Sequence, residues 1–304
     1  MKRDFLAVPD FTADEIMQTL QYAIEVKQLT KLGKSPQPFK GKTFGCIFHK
    51  PSLRTRISFE TGIFQLGGHS LFITDQEIEL GKRESIADVA RVLSRYLAGI
   101  VIRTFNHNQV VELAHYASIP VINALTDLLH PCQIMGDLMT ILEHKGTIEG
   151  INLTYLGDGN NIANSWLDAA YRLPINVTIG CSPETMPDQN IFLRAQKEGV
   201  GKVRILHHPL EAAKNADFIY GDVWASMGQK DKFEQKAKAL SAFQINDQLL
   251  KLAKPEVKVM HCLPAERGRE ITDEVMDGPH SIVFDQAENR LHAQKAIMMK
   301  IVPV

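Results

Sequence analysis

Short runs rich in β-branched and aromatic residues recur along this chain, and longer stretches with helical spacing lie between them. The first four runs are Thr43–Phe48, Ser70–Thr74, Gly99–Arg103 and Pro120–Asn123. Asn152–Leu156, Asn176–Gly180, Val203–Leu206, Phe218–Tyr220, Val257–Met260 and Ser281–Phe284 continue the series. Between runs, Ile86, Val89, Ala90, Leu93, Tyr96 and Leu97 return every three or four residues, the stripe of an amphipathic helix. Repeated strand–helix–strand order predicts parallel sheets covered by helices on both faces.

The chain has 304 residues, enough for two domains or one large one. Gln133 to His144 reads as one helix that Lys145-Gly146 would end, and Gly146–Gly150 resets the chain before the next strand. The expected architecture is therefore α/β: two doubly wound parallel-sheet domains, 1–148 and 149–285, joined by that linking helix. A final helix rich in Ala, Gln and Lys is expected over Gln286–Ile301.

Composition excludes several classes. Thirty-four Lys and Arg against 35 Asp and Glu leave a net charge of -1, unlike a basic nucleic-acid coat or a polybasic membrane binder. Met1–Phe11 carries Asp4 and Asp10 and lacks the apolar core of a secretory signal. The longest apolar run, Tyr96–Ile102, is far shorter than the ~18 residues that span a bilayer. Cys46, Cys132, Cys181 and Cys262 form no CxxC pair and read as reduced thiols. The 11 histidines show no HExxH spacing. The expectation is a cytoplasmic protein with no metal and no cofactor.

In open α/β sheets, ligands sit beyond the carboxyl ends of strands. Seven segments there carry candidate chemistry. After Thr43–Phe48 comes Lys50-Pro51-Ser52-Leu53-Arg54-Thr55-Arg56, where Ser52 can cap a helix whose stripe is Phe59, Ile63 and Leu66. Free N–H groups at a helix start suit a phosphate, but a helix end contributes only ~0.3–1 kcal/mol. Charge-assisted bonds from arginine, ~1.5–3 kcal/mol each, must supply much of the rest. A basic, capped helix start whose arginines pair with surface acids fits this segment equally. Arg103 ends the Gly99–Arg103 strand, at the ligand edge or simply in water. His130-Pro131-Cys132-Gln133 offers an imidazole donor and an amide, or a solvated cap before a helix-starting proline.

The remaining segments follow later strands. Gly157-Asp158-Gly159-Asn160-Asn161 opens like a dinucleotide fingerprint, but its sixth position is Ile162 rather than Gly. With Glu184 after the next strand, a nicotinamide-dependent oxidoreductase stays open as a competing class. Its paired amides also suit a zwitterionic amino acid or a tight turn. Asp222 to Gly228 offers a carboxylate for an ammonium and the Ser226 hydroxyl, or a cap and loop. His261-Cys262-Leu263-Pro264 puts a thiol at a strand end, and Glu288 to Lys295 carries Arg290.

Together these elements resemble the carbamoyltransferase family over Lys50 to Ala296, and its ornithine branch most closely. Ser52-Leu53-Arg54-Thr55-Arg56 is similar to the family's carbamoyl-phosphate signature, and His130-Pro131-Cys132-Gln133 to its HPxQ element. Asp222 to Gly228 matches the DxxxSMG loop, and His261 to Pro264 the HCLP element, of the ornithine branch. The resemblance implies that Ser52, Leu53, Arg54 and Thr55 hold the phosphate. It implies that Arg103, His130, Gln133 and Thr55 polarise the carbamoyl carbonyl, and that Cys262, Leu263 and Arg290 close the site. Arg54, Arg103, His130 and Cys262 are the implied catalytic set; Asn161, Asp222, Ser226 and Met227 are the implied ornithine ligands. It further implies a final helix packed on the first domain, and a homotrimer with sites at subunit interfaces. The implied reaction is carbamoyl transfer from carbamoyl phosphate to ornithine; N-acetylornithine, putrescine or aspartate are the acceptors of sister enzymes. One departure stands out: Glu79 lies where many relatives have Gln or His, and a carboxylate there opposes a phosphate unless Lys82 or Arg83 offsets it.

Overall fold

The computed structural model describes residues 2–50, 52–81, 83–224 and 230–303. The chain divides into two compact units, Met1–Met139 with Glu288–Val304, and Thr140–Ala287.

The first unit runs α1 (Ala13–Lys31), β1 (Thr43–Phe48), α2 (Leu53–Gln65), β2 (His69–Thr74), α3 (Asp75–Ile78), α4 (Ile86–Tyr96), β3 (Gly99–Arg103), α5 (His107–Tyr116) and β4 (Val121–Leu125). Its four strands are parallel in the order β2-β1-β3-β4. Every residue of β3 and β4 is buried, and apart from Arg103 and Asn123 both strands are apolar. The α2 stripe predicted from Phe59, Ile63 and Leu66 is wholly buried. At ~1.5–3 kcal/mol per large apolar side chain, that stripe alone anchors the helix to the sheet. In α4, Ile86, Val89 and Ala90 face the core, whereas Tyr96 is exposed because it falls on the last residue of the helix.

Helix α6 (Pro131–Lys145) follows β4, with Pro131 in the first turn where no N–H is needed. The division between units falls inside α6. The second unit continues with β5 (Asn152–Leu156), α7 (Asn161–Arg172), β6 (Asn176–Gly180), α8 (Gln189–Glu198), β7 (Val203–Leu206), α9 (Pro209–Ala212), β8 (Phe218–Gly221), α10 (Lys230–Leu240), α11 (Asp247–Leu250), β9 (Lys258–His261) and α12 (Asp273–Met276). Its strands are parallel in the order β7-β6-β5-β8-β9. Helix α13 (Val283–Ile301) closes the chain and crosses back into the first unit's residues at Glu288.

One expected strand is absent. Ser281 makes only an isolated bridge to Val259, and Val283 already begins α13. A run of three apolar residues cannot by itself distinguish a strand from the start of a helix.

Each sheet reverses its winding once, between β1 and β3 in the first and between β5 and β8 in the second. Ligands of such sheets gather beyond the strand ends at that switch. The register makes the ends flush: Phe48 pairs with Arg103, and Leu156 with Gly221. Ser52 and Arg103 thus emerge at one switch, and Asn160 and Asp222 at the other.

Candidate active site

In the first unit, Ser52 caps α2 by accepting the Thr55 N–H at 3.3 Å. That cap turns Thr55 inward, where its side chain is buried. Thr55 Oγ1 accepts a hydrogen bond from an Arg290 terminal nitrogen at 2.8 Å and from Arg103 at 3.4 Å. Two buried guanidinium groups therefore converge on one hydroxyl at the positive end of a helix. Arg290 reaches this point because α13 lies hard against α6: a Cβ at Gly136 would sit 3.2 Å from the Arg290 Cα and N atoms. Any larger side chain there would push Arg290 away.

His130 is buried in the same unit. Burial, and then the charges of Arg290 and Arg103, hold its pKa well below the usual imidazole range. It is a neutral N–H donor at physiological pH, suited to a developing oxyanion. Gln133 donates its amide to Asp137 at 2.8 Å, and its Oε1 is buried with no hydrogen-bond partner among the described residues. Arg54 sits half-buried in the first turn of α2 and makes no ion pair among the described residues; Leu53 beside it is exposed. Arg56 plays a different part: it pairs with Glu60 at 2.9 Å and lies 3.8 Å above the Phe72 ring. Glu79 is exposed and takes a left-handed backbone (φ 38°) after α3, while Lys82 lies outside the described residues.

In the second unit, Asp222 follows β8 and is buried. Its carboxylate accepts from Asn160 Nδ2 at 2.6 Å, Cys262 Sγ at 2.8 Å and the Val223 N–H at 2.8 Å. Burial raises its pKa, and His261, Cys262 and Asn160 pull it back. Asn160 also caps α7 through the Ile162 N–H at 2.9 Å and accepts from the buried Tyr155 hydroxyl at 3.2 Å. Burial, then the Asp222 charge, keeps Tyr155 a neutral phenol. Cys262 and Leu263 thus stand beside Asp222. Leu263 has a left-handed backbone (φ 56°), and its N–H donates to His261 Nδ1 at 2.9 Å. His261 is tied down in turn, its N–H bonding Gln286 at 2.8 Å.

Asn161 is a half-buried first-turn residue of α7, and its neighbour Asn160 touches Asp222. The Asn-Asn pair marks this turn in the sequence, and the cap geometry sets Asn160 against Asp222. Ser226 and Met227 lie outside the described residues. Gly159 serves chain packing: a Cβ there would lie 2.2–2.5 Å from the Thr185–Pro187 backbone. No group of three or more His, Cys, Asp or Glu able to hold a metal occurs among the described residues. No helix there is long and apolar enough to cross a membrane.

Family models agree with this two-part geometry. Residues 3–143 match the aspartate/ornithine carbamoyltransferase carbamoyl-P binding domain, and residues 149–301 match the Asp/Orn binding domain. The chain belongs to the aspartate/ornithine carbamoyltransferase family. Among members of the family, ornithine carbamoyltransferase of Syntrophus aciditrophicus is 52% identical over 298 residues, 98% of this chain and 99% of that protein. The chloroplastic enzyme of Pisum sativum is 50% identical over 300 residues, 98% of this chain and 80% of that protein. The solved ornithine carbamoyltransferase of Pyrococcus furiosus superposes with a TM-score of 0.96 at 47% identity, covering 99% of this chain and 97% of that one.

Proposed function

We propose that this chain transfers the carbamoyl group of carbamoyl phosphate to the δ-amine of L-ornithine, giving L-citrulline and phosphate. The observation that carries the reading is the convergence of Arg103 and Arg290 on Thr55 at the start of α2. Such a cluster suits a phosphate dianion beside a carbonyl. Arg54 and the α2 N–H groups take the phosphate, and Arg103, neutral His130 and Thr55 meet the carbonyl oxygen as it gains charge. Donors aimed at developing oxyanion charge form the largest single term in many enzymes. Asp222 takes the α-ammonium of ornithine. The δ-amine first loses a proton, since an alkylammonium has a pKa of about 10. Its lone pair then forms the C–N bond, the C–O bond to phosphate breaks, and the second amine proton leaves with the phosphate as hydrogen phosphate.

The same reading makes the protein a cytoplasmic homotrimer with sites at subunit interfaces; sedimentation at the mass of three chains supports it, and a monomer that is fully active contradicts it. The reaction itself is tested by incubating the protein with carbamoyl phosphate and L-ornithine. Citrulline and phosphate appearing in equal amounts support the proposal, and phosphate released without citrulline contradicts it.

A further inference from the structure

The second sheet has an unusual face. Right-handed crossovers put α7 and α8 on one side of β5, β6 and β7, and the return connection from β7 to β8 on the other. That return supplies only the four residues of α9, which meet the sheet where the Thr154 hydroxyl donates to the Ala212 carbonyl at 2.8 Å. The face that α9 leaves open is polar. Asn152 pairs with Asn176, Thr154 with Thr178, and Thr178 with Arg204. Residues two apart on a strand share a face, so these side chains form two polar rows across three strands.

A cavity of about 390 Å³ lies there, its walls including Asn152, Thr154, Asn176, Lys202, Arg204 and Lys214. No carboxylate lines it. Lys202, Arg204 and Lys214 make no ion pair among the described residues. Thr178 Oγ1 accepts from Arg204 Nε at 2.9 Å, which holds the guanidinium over the sheet with its two terminal nitrogens unpartnered among the described residues. Asn152 is held too, donating to the Asn215 carbonyl at 3.5 Å and accepting from Asn176 at 3.0 Å. Three like charges round one cavity repel one another, and an anion between them reverses that sign.

Asn152 and Asn176 begin their strands, whereas Asp222 follows the carboxyl end of β8. At ~3.3 Å per residue, a five-residue strand separates the two ends by roughly 13 Å. The cavity is therefore distinct from the cluster round Asp222.

We propose that this cavity binds a small, multiply charged oxyanion, a phosphate compound or a polycarboxylate. Calorimetric titration with pyrophosphate and, separately, with citrate tests it and distinguishes the two sources. The titrations use full-length Arg54→Ala protein, in which the phosphate site at the start of α2 is disabled. One binding event per chain is expected for at least one probe. Adding Lys202→Ala, Arg204→Ala and Lys214→Ala should weaken it at least tenfold. These exposed substitutions, placed in the otherwise native chain, should leave kcat and KM for carbamoyl phosphate unchanged. Thr178→Val removes no charge but releases Arg204, and should weaken binding several-fold. Absence of any event in Arg54→Ala protein would overturn the proposal. So would an affinity indifferent to the triple substitution, or one indifferent to Thr178→Val, which is the mark of diffuse surface charge.

Discussion

Thr55→Val is close to isosteric and removes one hydroxyl from a side chain that is only 1% exposed. The hydroxyl accepts from Arg290 at 2.8 Å and from Arg103 at 3.4 Å. The first bond has the length of a strong charge-assisted hydrogen bond, worth ~1.5–3 kcal/mol; the second is too long to add much. If Thr55 sets both guanidiniums for the phosphate and the carbonyl, that energy is lost from kcat/KM for carbamoyl phosphate. The expected fall is ~10- to 150-fold. Steady-state rates at saturating ornithine measure it, with Thr55→Ser as the control. Serine keeps the hydroxyl and should recover most of the rate. The reasoning fails if Thr55→Val stays within threefold of the wild type, or if Thr55→Ser is as impaired as valine.

Other expectations follow from the same groups. Because burial and two guanidiniums hold His130 neutral, kcat/KM should show no loss from its protonation until well below its ordinary pKa. His130→Asn should then lower the rate without moving the acid limb, and a limb shifted by that variant would contradict the reading. Asp222→Asn should raise KM for ornithine by about 10- to 150-fold, the worth of one charge-assisted bond, and leave KM for carbamoyl phosphate unchanged; equal effects on both would contradict it. Lys295 is wholly buried against Thr30, Ser35 and Gln65 at 2.8–3.0 Å, and burial pushes its pKa down to about 8. Its unfolded pKa is about 10.4, so between these values the unfolded chain binds more protons and stability rises with pH. Urea denaturation should show wild type gaining on Lys295→Met from pH 8 to pH 10, and a constant difference would refute this.

The fold was legible where apolar residues run on or alternate. Gly99–Arg103, Asn152–Leu156 and Asn176–Gly180 are strands with the expected bounds; the first is wholly buried and apolar up to Arg103, and the other two alternate buried apolar residues with Asn and Thr. Ser281–Phe284 misled because Ser281 and Ile282 lead straight into α13, which begins at Val283. The site was legible as chemistry but not as contacts. Thr55 and Arg290 stand 235 residues apart, and only packing at Gly136 brings them together. Likewise Arg56 lies two residues beyond Arg54, a turn of about 200° on a helix, and its side chain falls on Glu60 and Phe72.

The most direct test of the central claim is acceptor specificity. Ornithine, N-acetylornithine, putrescine and aspartate are offered in parallel with saturating carbamoyl phosphate, and kcat/KM is measured for each. A buried Asp222 carboxylate held by Asn160 and Cys262 predicts that ornithine wins, because it alone pairs a free α-ammonium with a terminal amine on an amino-acid frame. A higher kcat/KM for putrescine, N-acetylornithine or aspartate would contradict the account.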